Sequence, residues 1–199
     1  MLDLILASAS PRRADLLRSA GLRIRILPTS CDETPRPHEP AVAYARRIAE
    51  AKLAAALDVL DSEPDAAAVR PSVLTADTVV WSEQTAMPLG KPRDRAHALT
   101  MLRGLVGRDH FVTTAWALRR PGVPVHLAHE TTRVFMRSLG EAELTAYLDT
   151  NEWCDKAGGY GIQGHAAGLV THLAGSYTNV VGLPLAQVLE ALRDEQVPS

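Results

Sequence analysis

Apolar and polar positions along the chain fall into blocks, and each block predicts an element. Leu2–Ala7 is a short apolar run before a serine pair, which predicts a buried strand. Ser10 suits an N-cap and Pro11 a first helical turn, so Pro11–Ala20 predicts a helix stopped by Gly21. Its apolar face is Leu16, Leu17 and Ala20. Arg23–Leu27 alternates and predicts a strand with one wet face. Pro28–Pro40 holds four prolines and predicts a loop. Val42, Ala45, Ala49, Leu53, Ala56 and Leu60 recur at helical spacing, so Ala41–Leu60 predicts a long helix.

Asp61–Ser72 is polar and predicts a surface connection. Val73–Trp81 reads as a strand, Ser82–Arg93 as a loop, and Asp94 as the cap of a helix to about Arg103. Two strands follow, His110–Leu118 and Val123–Met136, joined at the hairpin signal Arg120-Pro121-Gly122. Ser138-Leu139-Gly140-Glu141 predicts a capping box that opens a helix to about Asp149. Gly158–Gly168 is glycine-rich, Leu169–Leu173 predicts a short strand, and Leu185–Asp194 a last helix. Strands alternating with helices, plus a central hairpin, predict an α/β chain with a mixed sheet. No repeat at a fixed period is visible, and one domain over residues 1–199 is the expected organisation.

Composition narrows the class. Apolar residues are 46% and charged residues 22% of 199 positions, which excludes disordered and membrane classes. No run approaches the roughly 18 apolar residues of a membrane helix. The net charge of −2 and the 5% aromatic content argue against a nucleic-acid binder. Cys31 and Cys154 cannot build a disulfide framework, and a reducing cytoplasm is the expected address. The N-terminus has no basic leader. Of 21 basic residues only three are lysines, Lys52, Lys91 and Lys156. In so Arg-biased a chain they fall there either by chance or because those sites need a compact ammonium that a guanidinium cannot replace.

Four segments could carry chemistry. Ser8-Ala9-Ser10-Pro11-Arg12-Arg13 lies at a strand-to-helix junction, where free N–H groups suit an anion. Two arginines in a first helical turn oppose the helix dipole, and a bound phosphate would reverse that sign. Asp77-Thr78 interrupts an apolar strand, where a carboxylate is costly unless paired or metal-bound. Leu89-Gly90-Lys91-Pro92 is not a Walker loop, because Pro92 stands where Ser or Thr is needed. Gly159-x-Gly161-x-x-Gly164 matches a dinucleotide fingerprint by pattern alone and follows a helix instead of a strand, so that reading is rejected. His126 and His129 fall on opposite faces of a strand and do not suit one metal. Asp32-Glu33 could join a Mg²⁺ site through carboxylate oxygen.

Taken together, the segments resemble the Maf family of nucleoside triphosphate pyrophosphatases, also called septum formation inhibitor proteins. The matching pieces are Leu4–Arg13, Asp32-Glu33, Glu50-Ala51-Lys52, Ala76–Val80, Gly90-Lys91-Pro92, Asp155–Gly164 and Gly175–Pro184. The resemblance implies a twisted mixed sheet flanked by helices, two-lobed around a central cleft, like the inosine triphosphatases. It implies hydrolysis of a nucleoside triphosphate to monophosphate and pyrophosphate with Mg²⁺ or Mn²⁺. Asp77 matches the proton acceptor, and Arg12, Thr78 and Gln163 match positions linked to base selection in the dTTP/UTP subfamily. Lys52 and Lys91 join Asp77 as expected catalytic residues. Ser8, Ser10, Arg12, Arg13, Thr78, Lys156 and Gln163 are expected to bind substrate, and Glu33 and Asp77 a metal. Asp77 as base and Asp77 as ligand both stay open. A homodimer, a housecleaning role and a link to division arrest also come only from the resemblance. The alternative is a nucleotide-binding regulator of cell division that does not hydrolyse. Trp153-Cys154 and the length of Asp58–Ser72 depart from the family pattern.

Overall fold

The computed structural model describes residues 4–62 and 71–193. Its strands are β1 (Leu4–Leu6), β2 (Ile24–Ile26), β3 (Ser72–Trp81), β4 (Asp109–Arg119), β5 (His126–Met136) and β6 (Val170–Ala174). Its helices are α1 (Pro11–Ser19), α2 (Ala41–Asp61), α3 (Arg95–Leu105), α4 (Glu141–Asp149), α5 (Tyr177–Val181) and α6 (Leu185–Arg193). The strands form one sheet in the order β2-β1-β3-β4-β5-β6. β1 pairs in parallel with β2 and β3, and the remaining neighbours are antiparallel. The mixed α/β sheet expected from the sequence is therefore present.

Strand alternation distributes the core. Leu4, Leu6, Leu74 and Trp116 pack with Leu17 of α1 and Val188 of α6 on one face. Ile5, Val73, Ala117, Val79 and Ala115 pack under α2 on the other. A further core lies towards the far ends of β3, β4 and β5, where Val80, Val112 and Val134 meet Leu102 of α3 and Leu148 of α4. Each fully buried Leu contributes about 1.5–3 kcal/mol. The two ends of the long strands thus carry separate lobes, and a cleft opens between them.

Some boundaries differ from expectation. Ser10 occupies the N-cap position of α1, but its side chain makes no capping bond. α4 starts at Gly140, not at Ser138, and Glu143 Oε2 reaches back to accept from the Gly140 N–H at 3.2 Å. Half of the expected box forms, shifted by two residues. Asp94 does cap α3, accepting from the His97 N–H at 2.8 Å. α5 has no counterpart in the sequence reading, because five residues are too few to show a period. The expected connection Asp61–Ser72 and the ends of two expected elements, Leu2-Asp3 and Asp194, lie largely or wholly outside the described residues.

His110 at the start of β4 is completely buried, and a 2.7 Å hydrogen bond joins its Nε2 to Tyr160 Oη. Burial pushes its pKa down to about 4, from an ordinary 6.5. Between those values the unfolded chain binds a proton that the folded protein refuses. The His110 contribution is therefore complete above pH 6.5 and is lost as pH falls towards 4, by about 3 kcal/mol. Urea unfolding of the wild type and His110→Gln across that range should show a flatter pH dependence for the variant.

Candidate active site

The site begins where β1 stops. β1 covers only Ser72–Leu74 of β3, and the Ala7 N–H closes the pairing on the Leu74 carbonyl at 2.9 Å. β3 runs on to Trp81, so Asp77 to Val79 have no strand partner on that side among the described residues. Ser8–Ser10 and the first turn of α1 turn away there, and a notch opens at the end of a parallel strand pair. Crevices at such strand ends are where open α/β sheets bind ligands.

Alternation along β3 aims neighbouring side chains to opposite faces. Asp77 points to α2 and is 7% exposed. Lys52 Nζ donates to Asp77 Oδ1 at 2.7 Å and lies 2.9 Å from Glu33 Oε1. One ammonium thus bridges two carboxylates from distant stretches of chain. An ion pair relieves the cost that an isolated carboxylate would carry in this strand. Tyr44 of α2 supports the Glu33 loop, its hydroxyl donating to the Glu33 carbonyl at 2.8 Å. Burial, with Asp77 and Glu33 nearby, pushes the Tyr44 phenol up to about 12.

Thr78 points to α1. Its hydroxyl meets Arg13 Nη2 at 3.0 Å and Thr114 Oγ1 at 2.8 Å. Arg13 also donates from Nε to the Gly182 carbonyl at 2.8 Å and from Nη1 to Ser8 Oγ at 3.0 Å. Burial lowers the Arg13 pKa, opposed by the charge of Asp77. The guanidinium therefore braces the Ser8 loop against β3 and α5 instead of reaching into solvent. Asn179 extends the brace, accepting from the Thr114 N–H and donating to the Val112 carbonyl and Thr132 Oγ1. Sequence reading missed Asn179, Thr114 and Tyr44. A fully buried Asn shows no pattern until its neighbours are known.

Eleven residues were expected at the site, and all eleven line a single cleft of about 1120 Å³. The structure brings them together as follows. Ser8, Ser10, Arg12 and Arg13 come from the β1–α1 junction, Asp77 and Thr78 from β3, Lys52 from α2 and Glu33 from the loop before it, Lys91 from the loop after β3, and Lys156 and Gln163 from the segment after α4. The Gly158 N–H donates to the Gly90 carbonyl at 3.2 Å, which ties the Lys91 loop to the Lys156 segment. Gly161 has a steric reason: a Cβ there would stand 2.6 Å from Lys156 Cε. Gly161 thus leaves room for the Lys156 stem. His126 stacks on Trp116 while His129 faces Arg46 of α2, so the two histidines do diverge.

Arg12, Lys91 and Lys156 make no ion pair among the described residues, whereas Lys52 is already committed. Glu33 and Asp77 supply two converging carboxylates, and no cluster of three His, Cys, Asp or Glu that could hold a metal occurs among the described residues. Such a pair fits Mg²⁺ shared with substrate phosphates and does not fit an all-protein cage. No helix among the described residues is long and apolar enough to cross a membrane.

Comparison with known proteins finds relatives that match over nearly the whole chain. The dTTP/UTP pyrophosphatase of Citrifermentans bemidjiense is 42% identical over 194 residues, covering 96% of this chain and 94% of the relative. That of Pelotomaculum thermopropionicum is 43% identical, over 97% of this chain and 96% of its own. That of Bordetella parapertussis is 46% identical, over 96% and 91%. Among solved structures, the Staphylococcus aureus Ham1 protein superposes with a TM-score of 0.45 at 13% identity, over 67% of this chain and 71% of that one. The sequence profile of the Maf-like proteins matches residues 3–195, and the chain belongs to that family.

Proposed function

We propose that this protein hydrolyses the bond between the α- and β-phosphates of dTTP and UTP, releasing monophosphate and pyrophosphate. The observation that carries this is that Asp77 and three cations without an ion pair among the described residues line one cleft. Lys52 takes one oxygen of Asp77, and the other has no hydrogen bond among the described residues. That second oxygen would accept a proton from a water attacking the α-phosphorus. Arg12, Lys91 and Lys156 would face the roughly four negative charges of the triphosphate. Three cations fall short of four charges, so a divalent metal held by Glu33, and by Asp77 in the alternative where it is a ligand and not the base, would offset the remainder and the charge developing on pyrophosphate. Gln163 carries an amide that can donate to and accept from a pyrimidine edge. The relatives named as dTTP/UTP pyrophosphatases support that base preference.

The test is a panel of triphosphates incubated with Mg²⁺ or Mn²⁺, with pyrophosphate and orthophosphate measured separately. Pyrophosphate release from dTTP and UTP, abolished by EDTA, is expected. Orthophosphate as the first product would place attack at the γ-phosphorus and overturn the reading. Tight binding without any product would replace hydrolysis by a binding role.

A further inference from the structure

Glu152 was given no role by the sequence, yet it lines the same cleft as Gln163. It sits just beyond α4 and is anchored there. Its N–H donates to Thr150 Oγ1 at 3.2 Å, and the adjacent Trp153 Nε1 donates to the Leu148 carbonyl at 3.0 Å. From this base the carboxylate accepts the His165 N–H at 3.0 and 2.8 Å through its two oxygens. His165 Nδ1 approaches it at 2.6 Å. The carboxylate also packs flat on Gly164, where any Cβ would collide with it. The Gly161–Gly164 turn, closed by the Gly164 N–H on the Gly161 carbonyl at 3.1 Å, carries Gln163. Gln163 itself is exposed and makes no hydrogen bond among the described residues.

An unfettered Gln is a poor reader of bases. A half-turn of its amide exchanges donor and acceptor. Uracil and thymine offer an N–H donor beside a carbonyl acceptor, and cytosine offers the reverse. A backbone held in one place fixes the point from which the amide reaches, and so limits which atoms of the base edge its donor and acceptor can meet together. The geometry points to Glu152 as a positioning residue for base selection: its carboxylate, seated on Gly164, clamps the turn that presents Gln163. This rests on the proposed reading of the site and assigns it a mechanism of specificity. Glu152 touches no reacting atom, so its effect should fall on KM and on the UTP to CTP ratio more than on kcat.

The experiment breaks the contact from either side. Glu152→Ala removes the carboxylate, and Gly164→Ala evicts it with a methyl group. Each is expected to lower the UTP over CTP ratio of kcat/KM about tenfold, chiefly through KM for UTP. The double variant should be no worse than Glu152→Ala, because the methyl then has room. Glu152→Gln keeps an acceptor for the His165 N–H and should retain most of the ratio. Gln163→Ala is the control for the underlying reading. If it leaves the ratio unchanged, base selection by Gln163 itself fails. If it lowers the ratio while Glu152→Ala does not, the clamp is wrong. Additive losses in the double variant would also overturn it. If Glu152→Ala does not fold, Gly164→Ala, with the carboxylate intact, decides the question against wild type.

Discussion

Asp77→Asn should lower kcat for dTTP hydrolysis by roughly 10²–10⁴-fold, the range lost when a general base is removed. The side chain is buried on β3, and its register opposite Ala115 does not depend on its charge. Asn keeps the volume and can still accept from Lys52, so the fold should persist. What disappears is the oxygen that takes the proton from water, and with it one of two carboxylates offered to a metal. Pyrophosphate release measured alongside nucleotide affinity separates the two. If kcat stays within about threefold of wild type, Asp77 is not the base. If kcat falls and recovers with higher metal concentration, its role as a ligand dominates.

Arg13→Lys should destabilise the protein by about 3–5 kcal/mol although the charge is kept. Three acceptors from three segments converge on one planar fork: Gly182 of the α5 turn, Ser8 of the first loop and Thr78 of β3. An ammonium cannot span them, and of the acceptors left behind Ser8 and Gly182 are buried and Thr78 is half-buried. For a chain of this size such a loss corresponds to a melting point lower by roughly 10 °C. Activity should fall as well, because the Ser8 loop that leads into Arg12 loses its brace. Thermal unfolding checks the first effect, and a drop under about 3 °C would mean that Arg13 is not the pin described here.

Arg13 also shows where sequence reading falls short. Its neighbour Arg12 and the serines before it were legible as a strand-to-helix turn, since Pro11 and the apolar run of β1 set that junction locally, and they do line the cleft. That Arg13 turns inward while Arg12 does not is decided by α5 and Gly182, 169 positions away. Thr78 was expected to bind substrate; that its hydroxyl also meets Arg13 and Thr114 was not visible in the sequence. Asp77 was legible because a carboxylate in an apolar strand is conspicuous by itself. Its partner was not, since nothing in the spacing of Lys52 and Glu33 states that they meet.

By itself, the chain's order of residues determined the β1, α1, α2, β3 and hairpin elements, whose periods and caps are local, and the inventory of charged residues that a phosphate site needs. All three scarce lysines do line the cleft. Only the tertiary structure decided which charges are spent on one another and which remain for a ligand. The reason is physical: periodicity and capping depend on neighbours a few residues apart, whereas burial, pairing and desolvation depend on which distant segments the sheet order brings into contact.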